Sequence, residues 1–139
     1  MNTNCFIAGT EITLFDGTIK NIEDVVVGDE VLSLNKETGE HSIGIVGELK
    51  EESVTSVIQI VFDDSTTIKT TSEHPFFIKE KEWVNAGELY PDDICIKVSG
   101  EESPISEVIE LEESHTVYNL LSVSDHSNFY ANGILVHNK

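Results

Sequence analysis

The chain has 139 residues, 39% of them hydrophobic, which suits one globular domain with a core of its own. Its 26 acidic residues outnumber 8 basic ones, for a formal charge of −18, and every one of the basic residues is Lys. Without a basic stripe or a guanidinium fork, nucleic acid is a poor candidate partner and none is expected, and no run approaches the roughly 20 apolar residues of a membrane helix. The opening Met1-Asn2-Thr3-Asn4 lacks the charged and apolar regions of a secretory signal. Two cysteines, Cys5 and Cys95, do not make a disulfide framework, and Cys95 in its apolar run is expected to be a packing residue.

Along the chain, short β-branched runs with period-2 alternation predict strands at 11–15, 30–34, 54–62, 66–70, 76–79, 94–98, 106–113, 117–123, 128–131 and 133–137. Asp16-Gly17, Gly28-Asp29, Thr38-Gly39, Asp63-Asp64 and Asn132-Gly133 punctuate them as turns. Helix is confined to single turns expected at 19–24 and 85–90. The acidic stretches 48–52 and 101–113 read as solvated loops and strand edges. The fold class is therefore all-β. A weak internal echo relates Val27-Gly28-Asp29-Glu30-Val31 to Tyr90-Pro91-Asp92-Asp93-Ile94, and VTSVIQI at 54–60 to SHTVYNL at 114–120. It suggests a duplicated unit packed about a pseudo-twofold axis.

Three fragments carry residue types suited to peptide-bond chemistry. Cys5, before a Gly-Thr turn and a strand, is placed for its thiolate to attack the Asn4 carbonyl and turn an amide into a thioester. Such a shift needs an oxyanion site and an acid for the departing nitrogen. Thr71 and His74, on one loop in KTTSEHPFFI, are candidates for these two parts. At the other end, Asn132-Gly133 starts a hairpin whose second strand delivers His137 and Asn138, and His126 precedes the first. The Asn138 side-chain amide can attack its own backbone carbonyl, with His137 activating that carbonyl and His126 taking the amide proton.

Cys5 with its Gly-Thr strand entry, the TSEH loop, VVVGDEVLSLN, VYNLLSVSDHSNFYANG and the terminal NGILVHN together resemble an intein. More narrowly, the set resembles the bacterial intein-like domains of the Hint superfamily, over nearly the whole chain. The resemblance implies a compact β horseshoe with pseudo-twofold symmetry that brings both termini together, and no inserted endonuclease. It implies a self-processing domain at 5–138, with flank residues 1–4 and 139. In that domain Cys5 is the N-terminal nucleophile, Thr71 and His74 its activating pair, His126 an assistant, and His137 with Asn138 the C-terminal cleavage pair. The expected partner is the flanking polypeptide itself; the domain is expected to be a monomer, to need no cofactor, and to be located wherever its host protein is. Two positions depart from the pattern. Asn119 stands where many inteins have Asp, and Lys139 stands where splicing requires Cys, Ser or Thr. Cleavage at both ends, with some ligation by a non-standard route, is the expected activity. Two other classes stay open: a zinc module using Cys5, His74, His126 and His137, where zinc otherwise acts as an inhibitor, and an inactive β interaction domain.

Overall fold

A computed structural model describes residues 4–138; Lys139 and residues 1–3 lie outside the described residues. The described residues form 14 strands: β1 Phe6–Ile7, β2 Glu11–Thr13, β3 Ile19–Asn21, β4 Glu30–Asn35, β5 Glu40–Val54, β6 Val57–Phe62, β7 Thr67–Thr70, β8 Pro75–Ile78, β9 Glu82–Asn85, β10 Ile94–Ile96, β11 Glu102–Leu111, β12 His115–Val123, β13 Asn128–Ala131 and β14 Ile134–His137. They build an eight-stranded sheet, β10-β11-β6-β7-β1-β12-β5-β4, and a six-stranded sheet, β3-β2-β13-β14-β8-β9. All the pairings are antiparallel. The main core lies among Phe6, Ile60, Phe62, Phe76, Phe129 and Leu120, all at most 1% exposed.

Two expectations about the chain are corrected. The acidic stretch 48–52, expected among solvated loops and strand edges, lies in the second half of β5, the longest strand, where β12 pairs with it and β4 does not reach. Its alternation places Lys50 and Glu52 inward and half-buried while Glu48 and Glu51 are exposed. The turn expected at 19–24 is split, with β3 running to Asn21 and a 3₁₀ turn only at Ile22–Asp24. The Asn132-Gly133 turn forms as expected, with φ of 48° and 79°, the left-handed pair that an Asn-Gly hairpin uses. Gly44 in β5 is required by contact: a Cβ there would sit 2.4 Å from Val123 Cγ1.

The internal echo is real, but its register is one residue from the sequence match. Asp29 corresponds to Asp93, Gly28 to Asp92 and Val26 to Tyr90. Asp29 N–H donates to Val26 O, and Asp93 N–H to Tyr90 O, each at 3.1 Å. Both carboxylates also accept the first turn N–H, Val26 N at 2.9 Å and Tyr90 N at 2.9 Å, and each meets a lysine, Lys20 or Lys81, at 2.8 Å. The 3₁₀ turns Ile22–Asp24 and Ala86–Glu88 are preceded by Asn21 and Asn85 in the same extended conformation. The halves then exchange strands: β5 pairs with β12, and β11 pairs with β6. The hairpin β13–β14 is extra to this repeat, and it carries the C-terminal residues.

That exchange fixes the ends. β1 lies between β7 and β12, and β14 lies between β13 and β8, so both terminal strands run inside sheets rather than along edges. The loop from β7 to β8, which holds Thr71 to His74, joins the two sheets between them.

Candidate active site

Cys5 is fully buried. Its backbone N–H, half of the Asn4–Cys5 peptide bond, donates to Thr71 Oγ1 at 2.9 Å. Its carbonyl accepts from Thr70 Oγ1 at 2.8 Å and from Thr71 N–H at 3.0 Å, so three bonds pin this residue to the end of β7. The Thr71 hydroxyl thus meets the nitrogen of the bond rather than its carbonyl oxygen. Burial pushes the Cys5 thiol up to about 11, with Lys50 pulling it down and Glu52 pushing it up. These two side chains form an ion pair of 3.8 Å in β5.

His74 is fully buried, its ring 4.1 Å from that of Phe6 and within 6.5 Å of Phe76 and Phe129. Its Nε2 is 2.8 Å from the His137 carbonyl oxygen. A carbonyl only accepts, so the proton of the neutral ring is on Nε2 and Nδ1 carries the lone pair. Burial pushes the imidazole down to about 3, against the opposing pull of the His137 and Asn4 backbones, so the ring is neutral near pH 7. One side chain therefore touches the backbone of both ends of the chain.

At the C-terminal end three polar groups of Asn138 are held. Its N–H donates to Ser127 O at 3.0 Å, its Nδ2 to Leu121 O at 3.1 Å, and its carbonyl accepts from Asn119 Nδ2 at 3.1 Å. The His137 ring packs edge-on against Trp83, with centroids 4.8 Å apart. His126 is half-buried in the loop before β13, flanked by Asp125 and Ser127 with φ of 66° and 57°. Left-handed backbone on both sides of a non-glycine residue fixes the loop at a cost in strain. His126 reaches Asn138 through its neighbour, since the Ser127 carbonyl holds the Asn138 N–H.

The structure thus gathers Cys5, Thr71, His74, His137 and Asn138, with His126 at the margin. It does not gather a zinc set. Among the described residues no three Cys, His, Asp or Glu side chains are arranged to hold a metal. The reason is packing: aromatic rings wall in His74 and its Nε2 is committed to His137 O. Cys95 is fully buried and unbridged, as a packing residue would be.

Sequence reasoning did not foresee Thr70, Lys50, Glu52 or Trp83 at the site. Thr70 adjoins Thr71 and ends both β7 and the strand expected at 66–70. Lys50 and Glu52 were hidden in a charge run. Asn119 left a visible mark, a polar residue at an inward position in the apolar strand VYNLL.

Two halves exchanging strands about a pseudo-twofold, with both ends of the chain on one buried His, define a self-processing domain of the Hint superfamily. The chain matches the Pretoxin HINT domain family over residues 12–139 and belongs to that family. Its structure is similar to a bacterial intein-like domain from Clostridium thermocellum, with 30% identity, TM-score 0.90, and 99% of this chain and 100% of that one covered. It is also similar to the gp41-1 intein carrying three substitutions (25% identity, TM-score 0.82, 98% and 100% covered). A DnaB intein from Synechocystis sp. PCC 6803 shares the fold at 22% identity and TM-score 0.87, with 99% of each chain covered. Comparison with curated proteins gives no match. The chain is a bacterial intein-like domain, an autocatalytic unit that acts within its own polypeptide. No helix among the described residues is long and apolar enough to cross a membrane.

Proposed function

We propose that residues 5–138 cleave the polypeptide at both of their ends, with residues 1–4 and 139 as flanks. The observation that carries this reading is the hydrogen bond from His74 to the His137 carbonyl, made by a ring that also lies against the Asn4 backbone. The Cys5 sulfur attacks the Asn4 carbonyl carbon, the Asn4–Cys5 C–N bond breaks, and the thiol proton ends on the Cys5 nitrogen. Thr71 Oγ1 holds that nitrogen. His74, neutral at rest, takes the proton on Nδ1 and passes it on. This serves a thiol that burial keeps protonated.

At the other end Asn138 Nδ2 attacks the Asn138 carbonyl carbon. The bond to Lys139 breaks, and the amide proton ends on the departing nitrogen. The domain keeps a C-terminal succinimide, and Lys139 gains a free α-amine. His137 and His126 assist this transfer. An ammonium side chain accepts no acyl group by thioester exchange, so hydrolysis dominates. A minority of spliced product forms when the Lys139 α-amine, with pKa near 8, attacks the Asn4 thioester. The family is described as pretoxin, which makes a flanking segment the candidate cargo.

The test is to express the chain between two unrelated tags and weigh the products. Masses for cleavage after Asn4 and after Asn138, the latter with the succinimide, are expected. An intact fusion under thiol and at neutral pH would overturn the reading and favour an inactive β domain.

A further inference from the structure

Asn4, the residue before Cys5, is half-buried, and its side-chain Oδ1 is buried with no hydrogen-bond partner among the described residues. The amide therefore lies against the site rather than in solvent, although a stranded buried acceptor costs stability. The His74 ring lies against the Asn4 backbone. Its Nε2 is taken by His137 O, and its Nδ1 is buried without a partner among the described residues. Cys5 is fully buried and its backbone is pinned by Thr70 and Thr71. A thioester on the Cys5 sulfur thus forms where water has little access. One amide nitrogen is already there, on the acyl residue itself.

We infer that Asn4 is the nucleophile that releases its own flank: once its acyl group is on Cys5, Asn4 Nδ2 attacks its own carbonyl carbon. The N-terminal segment then leaves with a C-terminal succinimide. The inference rests on the self-cleavage reading above and deepens it, because it makes a flank residue part of the chemistry. The Nδ2–C bond forms and the C–Sγ bond breaks. The proton shed by Nδ2 ends on the Cys5 sulfur, carried by His74 Nδ1. The ring is the same one that Asn138 forms, but the group displaced is a thiolate rather than a backbone nitrogen. A thiolate leaves without first being protonated, so this end needs less assistance. An internal nucleophile can act at an effective concentration of roughly 10⁵–10⁸ M, which water in a buried site does not match. Water enters afterwards. It opens the ring at either carbonyl and leaves a mixture of Asn and isoasparagine ends, so the net outcome is still hydrolysis.

The experiment uses the full chain with a reporter peptide before Met1, incubated without thiol at pH 7.5 and sampled into acid. In early samples the released peptide should be lighter by one water than its Asn-ending acid. Later it should end in isoasparagine as well as Asn, resolved by fragmentation against the two synthetic peptides. Asn4→Ala should slow this thiol-free release by about tenfold or more, since only external water is left to attack. Cys5→Ala should abolish the imide, because the backbone nitrogen is not displaced. Hydroxylamine attacks thioesters directly and should release a hydroxamate from both wild type and Asn4→Ala, which separates lost cyclisation from lost fold. Should Asn4→Ala fail to fold, the ends of the wild-type product decide by themselves. The inference is overturned if those ends are Asn alone with no lighter precursor. It is equally overturned if Asn4→Ala keeps pace without hydroxylamine, or if Cys5→Ala still gives the imide. If hydroxylamine releases nothing from wild type, no thioester forms, and the self-cleavage reading fails first, taking the inference with it.

Discussion

Thr10 and His74 stand at equivalent corners of the two halves. Thr10 N–H donates to Ile7 O and His74 N–H to Thr71 O, both at 3.3 Å. The Thr10 carbonyl accepts from Ile22 N at 2.8 Å and the His74 carbonyl from Ala86 N at 3.0 Å, each tying the corner to the following 3₁₀ turn. There the likeness ends. The Thr10 hydroxyl folds back on Ile7 O at 2.8 Å, while the His74 ring crosses to the terminal hairpin that the first half lacks. The repeated corner makes structure, and chemistry was placed where the symmetry is broken. A backbone that closes without the imidazole leaves the side chain free to serve both ends.

Making the two corners alike should have the largest effect. His74→Thr is expected to fold, because the corner's backbone bonds do not use the ring, and to slow thiol-induced cleavage after Asn4 by roughly 10²–10⁴-fold. Cleavage after Asn138 should slow by about tenfold or less, the worth of one neutral hydrogen bond to His137 O. Rates for the two products, resolved by mass, decide this; an unchanged N-terminal rate would reduce His74 to a packing residue.

The corners should also differ in their response to acid. The folded pKa of His74, about 3, lies below the ordinary 6.5, so from pH 6.5 down to 3 the unfolded chain binds a proton that the folded one refuses. Stability should therefore fall as pH drops through that window, by up to about 2 kcal/mol between pH 6.5 and 5. Urea midpoints of wild type and His74→Thr should converge as the pH falls. Parallel curves would mean that the ring is not buried neutral.

The paired aspartate turns extend the comparison. Asp93 is 8% exposed at its side chain and Asp29 21%. Asp93→Ala should cost about 2 kcal/mol and Asp29→Ala about 1, because the more buried turn N–H is harder to rehydrate. Denaturant titrations giving the reverse order would break the equivalence. The smallest effect belongs to Thr10→Ala, about 0.5–1 kcal/mol of stability for one lost hydroxyl bond, with both cleavage rates unchanged.

Most of this all-β fold is legible in the sequence, because strand alternation and the Asn132-Gly133 and Asp16-Gly17 turns are local signals. The terminal residues with nucleophilic side chains, Cys5 and Asn138, are likewise visible as chemistry at the two ends. What the sequence could not show is pairing. β5 was lost inside an acidic run, because solvation and a half-buried strand look the same until β12 supplies the register that turns Lys50 and Glu52 inward. The register of the echo is hidden for the same reason: side chains repeat loosely, whereas the hydrogen bonds of Asp29 and Asp93 repeat without slack. Residue types and turns were thus settled by the sequence alone. The meeting of His74 with His137, and of Asn119 with the Asn138 carbonyl, was decided only by the tertiary exchange of strands, since these contacts join groups far apart in the chain.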